Sequence, residues 1–330
     1  MKSSLIGRLK RLGINALLVG IILAIILAYL FPELGNSGGA FNWALIIDTG
    51  IALVFFIYGL KLNLESLRSG LKNYRLHLVI QGATYLVFPL FVWIAIQLFP
   101  SIDPDIKSGI IFLSALPSTV SAAVVLVSIA NGNVTAAIFN ASISSLLGVI
   151  ITPFWMIILS NSDSGQIDVF QTLYELSQKI LLPVFLGMIL HRWLFPLIQG
   201  MLSKLKYIDQ LVIMCIVFTS FSKSFSEGIF EPFKAKTLIL LSLGLIALYA
   251  LVLTLLFLIG RARKFSKKDQ ITLVFCGAQK SLVQGAVMGK VLFPDPWVLA
   301  LVLLPLMVYH IQQLMIGSAL AAYLGEKKDD

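Results

Sequence analysis

Ten apolar runs follow one another along this chain, most of them near the length of a membrane-crossing helix: roughly 14–31, 43–60, 76–99, 107–130, 134–160, 171–190, 208–225, 237–260, 271–293 and 297–324. A helix needs about 20 apolar residues to cross the hydrocarbon core of a bilayer. Backbone groups find no partners in lipid, so only helices and closed barrels can cross it. The runs lack the dyad alternation of an outer-membrane barrel, so they read as helices. The expected fold is an all-α membrane protein with ten transmembrane helices. Composition agrees. The chain is 58% hydrophobic and 12% charged, about half the charged share of an ordinary soluble domain. No small-residue cleavage pattern follows the first apolar run, so it reads as a span and not as a removable signal.

The formal charge is +9. In a soluble chain that surplus would raise nucleic acid as a partner. Here it flanks spans, where basic residues set orientation, and no nucleic acid is expected. Lys2, Arg8, Lys10 and Arg11 precede span 1. Lys61, Arg68, Lys72 and Arg75 follow span 2, Arg192, Lys204 and Lys206 follow span 6, and Arg261, Arg263, Lys264, Lys267 and Lys268 follow span 8. With ten spans all of these fall on one side. The opposite connectors are poor in basic residues, except that Lys223, Lys234 and Lys236 stand beside Glu227 and Glu231. Both termini are therefore expected in the cytoplasm, and the compact loops suggest a bacterial inner membrane. Cys215 and Cys276 lie within apolar runs and read as small buried hydrophobes, not as a disulfide or metal site.

Two spans carry polar interruptions, Pro117-Ser118-Thr119 and Gly277-Ala278-Gln279-Lys280-Ser281. Ser118 and Ser281 stand 163 residues apart in a chain of 330. Ala115/Ala278, Val120/Val283, Ala123/Ala286 and Val124/Val287 match at the same offset. Ten spans divide into five and five, and an odd number makes the second half enter from the opposite side. That is the condition for an inverted repeat of about 1–165 and 166–330. Broken spans at matching places in two halves mark a transporter site.

The chemistry of the breaks follows from their residues. Pro117 removes a backbone donor and frees carbonyls, although alone it reads as a simple kink. Ser118, Thr119 and Ser121 can bond those groups or a ligand. Gln279, Lys280, Ser281 and Gln284 supply polar groups to the second break. Lys280 is about ten residues, or about 15 Å, from either end of its span, too far to snorkel. A charge at such a depth is costly and is a functional-site hypothesis by default. Crossing half-helices would aim positive N-termini at an anionic group and freed carbonyls at a cation.

These residues resemble the bile acid:sodium symporter (BASS) family over nearly the whole chain. Tyr58-Gly59-Leu60-Lys61-Leu62-Asn63-Leu64-Glu65 is similar to its turn after the second helix. Gly132-Asn133 joins spans 4 and 5 as there, and the run from Ser144 through Gly148 to Thr152-Pro153 is similar to its fifth-helix signature. Gln279-Lys280-Ser281 sits at its crossover Q-N-S, and Tyr309-His310 at a W-H-N of its tenth helix. Phe275-Cys276, Lys280-Ser281-Leu282 and Ala137-Ile138-Phe139-Asn140 resemble the atypical SBF-like branch that contains the seventh human member. The resemblance implies an inverted repeat with crossing breaks in spans 4 and 9. It implies a core of about 76–160 and 237–324 moving against a panel of about 14–60 and 171–225.

The departures from the family pattern bear on coupling. Typical members hold two sodium ions at the crossover. Their acidic ligand before the ninth-helix break corresponds to Phe275, and their fourth-helix asparagine to Ala123 or Val124. Their fifth-helix hydroxyls correspond to Ala137 and Ala141, and their third-helix glutamine to Thr84, with Gln81 nearby. Gln279 is kept. Replacing a carboxylate by Phe275 and an asparagine by Lys280 raises the local charge by two units. Two unit charges a few ångströms apart interact by about 4 kcal/mol at an effective dielectric near 20. No sodium is expected at the two sites, with Lys280 supplying a fixed positive charge instead.

The expected function is secondary-active, sodium-independent transport of an organic anion, bile-acid-like or a small carboxylate. The crossover set is Lys280, Gln279, Ser281, Pro117, Ser118, Thr119, Ser121, Gln284 and His310. A second reading couples transport to protons through Lys280, with Asp48 and His310 as candidate relay groups. Each of those two also reads as a structural hydrogen-bonding residue. A third reading is a membrane regulator or scaffold that transports nothing. No cofactor motif, metal-ligand cluster, phosphate loop or nucleophile elbow appears, and His77, His191 and His310 lie far apart, so an enzyme is not expected. Lys280→Ala is expected to impair function while leaving the chain folded.

Overall fold

The computed structural model describes residues 16–35, 41–61, 73–99, 102–159, 174, 177–226 and 235–326. Among them every regular element is helical. Among the described residues eight helices are long and apolar enough to cross a membrane, and a shorter apolar helix, Val19–Leu30, precedes them.

In chain order the elements are α1 (Ala16–Leu30), α2 (Trp43–Lys61) and α3. The last runs as Tyr74–Gly82, a π-helical turn Ala83–Val87 and Phe88–Ile96. Two half-helices follow, α4a (Pro104–Ala115) and α4b (Val120–Ile129), and then α5 (Val134–Leu159). Helix α6 is a π turn Ser177–Leu181 continued by Leu182–Ile198, and a single 3-10 turn, Gln199–Met201, leads into α7 (Leu202–Ser226). The remainder is α8 (Ala235–Ala262), half-helices α9a (Lys267–Ala278) and α9b (Leu282–Leu292), and α10 (Pro296–Glu326).

The sixth apolar run was expected to end near residue 190, with Arg192 in a connector. The helix instead carries Arg192 onward to Ile198. Arg192 is exposed and not packed inside the protein, and a long arginine side chain near a helix end can carry its head to the interface. The expected connector of spans 6 and 7 shrinks to one 3-10 turn.

Burial follows polarity. In α9, the least apolar of the long spans, 94% of the apolar window is inside the protein, against 17% for α8, the most apolar. Polar groups at membrane depth are tolerated only within protein, so α9 sits at the centre and α8 outside. Helices α1, α2, α6 and α7 pack on one another, as do α3, α4a, α4b, α5, α8, α9a, α9b and α10. Helix α7 also packs on α9b and α10, joining the two groups. The α2–α6 crossing is close because a Cβ on Gly59 would stand 2.1 Å from the Val184 carbonyl oxygen, and one on Gly187 2.2 Å from that of Phe56. Small residues at such contacts let backbones approach.

Candidate functional site

The break in α4 follows from Pro117. A residue before proline is pushed out of the helical region, and Leu116 is extended at φ −69°, ψ 152°. Thr119 remains extended at φ −77°, ψ 135°. The non-helical stretch is thus 116–119, and Ser121, expected within it, lies in the first turn of α4b; its side chain is outside the described set. A Cβ on Gly148 of α5 would come within 2.8 Å of the Pro117 ring, so that glycine lets α5 seat the break.

The break in α9 has no proline. Gln279 and Ser281 are extended, and the Ser281 hydroxyl caps α9b by accepting from the Gln284 N–H at 3.3 Å. Serine is among the best residues for that task. Gly277 was expected to belong to the break; it remains helical in α9a. Helix hydrogen bonding survives a single glycine, and here the capping serine sets the restart.

The two breaks cross. Ser281 N–H donates to the Pro117 carbonyl at 2.9 Å. Lys280 is fully buried there. Its ammonium donates to the carbonyls of Ser114 at 2.7 Å, Leu116 at 2.8 Å and Thr84 at 3.0 Å. The same nitrogen lies 4.4 Å from the centre of the Phe88 ring, a cation–π contact. An ammonium has three protons and no acceptor site, and all three find carbonyls. A neutral amine would turn a lone pair toward one of them. Two of the carbonyls belong to the C-terminal end of α4a, where the helix dipole favours a cation.

Each carbonyl is available for a local reason. The Ser114 carbonyl has no donor three residues on, because that residue is Pro117, or four residues on, because the Ser118 N–H goes to the Ser144 hydroxyl at 3.0 Å. Leu116 is already outside the helix. In the π turn the Phe88 N–H reaches back to Ala83, and Pro89 has no N–H. The Thr84 carbonyl therefore lacks a helical donor four or five residues ahead. Thr84 corresponds to the family's third-helix glutamine, and it is the Thr84 backbone that Lys280 uses. Pro89 was the missed signal.

A second missed residue is Gln313 on α10. Its amide oxygen accepts from the Lys280 N–H at 2.8 Å, and its amide nitrogen donates to the Lys280 carbonyl at 2.8 Å. One side chain thereby replaces the helical partners that the break removed. The Gln313 nitrogen also donates to His310 Nδ1 at 2.9 Å, so the other ring nitrogen of neutral His310 carries the proton. Gln279 donates to the Tyr249 hydroxyl at 3.1 Å, Tyr309 donates to the Ala278 carbonyl at 2.9 Å, and Gln284 donates to the Ser145 carbonyl at 3.2 Å.

Lys280, Gln279, Ser281, Gln284, His310, Pro117, Ser118 and Thr119 are thus brought to the two breaks or the helices directly against them. Asp48 is not: it is exposed on α2 and within electrostatic reach of Lys290. Several buried polar atoms around the crossing have no protein partner: Ser118 Oγ, Thr84 Oγ1, Gln279 Oε1, Gln284 Oε1 and His310 Nε2. Buried polar groups are ordinarily satisfied by protein or water, so this set is equipped to meet water or a polar ligand.

The model of the SBF-like CPA transporter family matches residues 15–326. The chain belongs to that family. Among its relatives, a Pseudomonas aeruginosa protein, PA2026, is 35% identical over 314 residues, covering 94% of this chain and 93% of its own. YfeH of Escherichia coli K12 is 33% identical over 305 residues, covering 91% and 90%. Sodium/bile acid cotransporter 7 of Rattus norvegicus is 31% identical over 316 residues, covering 94% and 93%. The chain is accordingly an SBF-like, multi-pass membrane protein of a transporter family. At positions that resemble sodium ligands of typical symporters, this member carries Phe275, Ala137, Ala141 and either Ala123 or Val124, which offer no side-chain oxygen, while Thr84 and Gln279 at two further positions do.

Proposed function

We propose that this protein is a secondary-active transporter of an organic anion that works without sodium, with Lys280 as a resident cation at the crossing of two broken helices. The observation that carries the reading is the Lys280 ammonium on three carbonyls contributed by α3 and the α4 break. That is a cation-binding cage made of freed backbone, filled by a side chain. With all three protons engaged, Lys280 does not grip the substrate. It fixes the crossing and its charge. The positive N-termini of α4b and α9b and the unpartnered atoms of Ser118, Gln284 and Gln279 are then what meets a carboxylate-bearing substrate. Relatives named sodium/bile acid cotransporter 7 support a bile-acid-like anion or a small carboxylate.

The architecture proposed with this function is ten spans in two inverted halves, about 1–165 and 166–330, with both termini cytoplasmic. The similar breaks in α4 and α9 and their crossing support it. The packing of α1, α2, α6 and α7 on one another, with α7 meeting α9b and α10, supports a panel against which a core moves. Proton coupling is the second reading. It is favoured by the neutral partners of Lys280: no carboxylate binds its ammonium, so losing the proton breaks no ion pair. It would require the cage to open first, because one carbonyl would otherwise face a lone pair.

Sodium titration tests the main reading. In proteoliposomes loaded with candidate anions, uptake should be equal in sodium, potassium and choline. The melting temperature should show no saturable sodium-specific shift. A sodium-specific, saturable increase in either measurement would mean that backbone groups and Gln279 suffice to bind the ion. Uptake that follows an imposed pH gradient would favour the second reading.

A further inference from the structure

Helices α3 and α8 leave a cavity of about 840 Å³ between them, lined by Arg75, Leu78, Val79, Gly82, Ala83, Leu86, Val87, Ile259, Ala262, Arg263 and Phe265. Its α3 residues recur at helical spacing along one face, from Arg75 to Val87, about 18 Å of helix. Two arginines stand in a lining that is otherwise apolar. Both are exposed, and no carboxylate among the described residues pairs with either. Arg75 Nε is 3.4 Å from the Tyr74 hydroxyl, at the long end of a hydrogen bond. Arg263 lies with Lys264 in the turn between α8 and α9a, flanked by Arg261 at the end of α8 and by Lys267 and Lys268 at the start of α9a. The acidic residue near that turn, Asp269, is occupied by Asn133 at 2.9 Å and Asn73 at 3.4 Å.

We infer that this groove is a binding site for an anionic phospholipid. Arg75 and Arg263 hold the headgroup phosphate, and an acyl chain runs along α3 over Gly82 to Val87. Any lipid-facing helix meets acyl chains, so the apolar wall alone selects nothing. Two unpaired guanidinium groups at one end of it select a phosphate, which arginine binds through paired donors. Basic pockets between membrane helices at the positively charged end favour anionic headgroups for this reason. The volume is within the roughly 300–1,000 Å³ of small-molecule sites. The chain end of the groove is also connected to the crossing. Ala83 and Val87 are the first and last residues of the π turn, whose Thr84 carbonyl holds Lys280. A lipid seated there braces that turn from outside.

Binding can be read without any transport assay, so the result stands apart from the function proposed above. Detergent-purified, delipidated protein is offered an equal mixture of phosphatidylglycerol and phosphatidylcholine, and retained lipid is counted by native mass spectrometry. Phosphatidylglycerol should be retained several-fold over phosphatidylcholine and should raise the melting temperature. In the Arg75→Gln, Arg263→Gln double variant the preference should fall to near parity. Gly82→Phe should reduce retention of both lipids, and it should fold, since a Cβ there has nothing within 4 Å. Equal retention of the two lipids by the wild type, or full preference in the double variant, would overturn the inference. So would glycerol phosphate raising the melting temperature as much as the lipid does, which would identify a site for a soluble anion.

Discussion

Lys280→Met is expected to abolish transport and to lower the stability of the protein by about 3 kcal/mol or more. The methionine side chain fills much of the same space but donates nothing. The carbonyls of Thr84, Ser114 and Leu116 would remain buried without their donor. An unsatisfied buried polar group costs about 1–3 kcal/mol, discounted here by whatever water enters. Lys280→Ala should behave similarly, which reverses the expectation from sequence that removing this charge would spare the fold. Lys280→Arg keeps the charge but carries it on a planar fork that cannot point at three carbonyls around one nitrogen. It should therefore retain more stability than methionine and still transport poorly. Lys280→Asn should not recover sodium dependence, because Phe275 and Ala137 still supply no ligand. Thermal melts and proteoliposome uptake on the four variants check this. Uptake at wild-type rate by Lys280→Met would reduce the lysine to an incidental residue and remove the basis of the proposed mechanism.

Gln313→Leu is expected to have the next largest effect. The side-chain amide closes both backbone bonds of Lys280, each at 2.8 Å. Leucine would leave a buried N–H and a buried C=O unpaired, at about 1–3 kcal/mol each. The stability loss should be about 2–4 kcal/mol, and uptake should fall because the break would no longer hold Lys280 beneath α4a. Gln313→Glu separates geometry from polarity. It keeps the acceptor for the Lys280 N–H but not, when ionised, the donor to the Lys280 carbonyl. It should be intermediate in melting temperature. A Gln313→Leu variant as stable and active as the wild type would show that the unwound backbone of α9 is held by other contacts.

Much of the site was legible because its causes are local. Pro117 cannot donate a backbone hydrogen bond wherever the chain places it, and Leu116 before it must extend. Ser281 is a helix-capping residue by type. Lys280 in the middle of an apolar run declares itself through the cost of burying a charge. The boundaries of the breaks were less legible. Gly277 and Ser121 were assigned to them and proved helical, because helix propensity is a weak local preference that hydrogen bonding and packing override. Asp48 read either as a relay or as a residue pairing near the interface, and its exposed place on α2 is away from the crossing.

The sequence by itself determined the apolar spans, the two polar interruptions and the membership in a transporter family. These are properties of residue type and order. Only the tertiary structure decided what Lys280 does with its charge. The Thr84 carbonyl is 196 residues away in sequence, and it is open only because a π turn and Pro89 deny it a helical donor. Gln313 lies 33 residues beyond Lys280 on another helix and carries no pattern that marks it. A hydrogen-bond partner is chosen by proximity in space, and burial makes that choice obligatory. The identity of the lysine's partners therefore entered only when the helices packed.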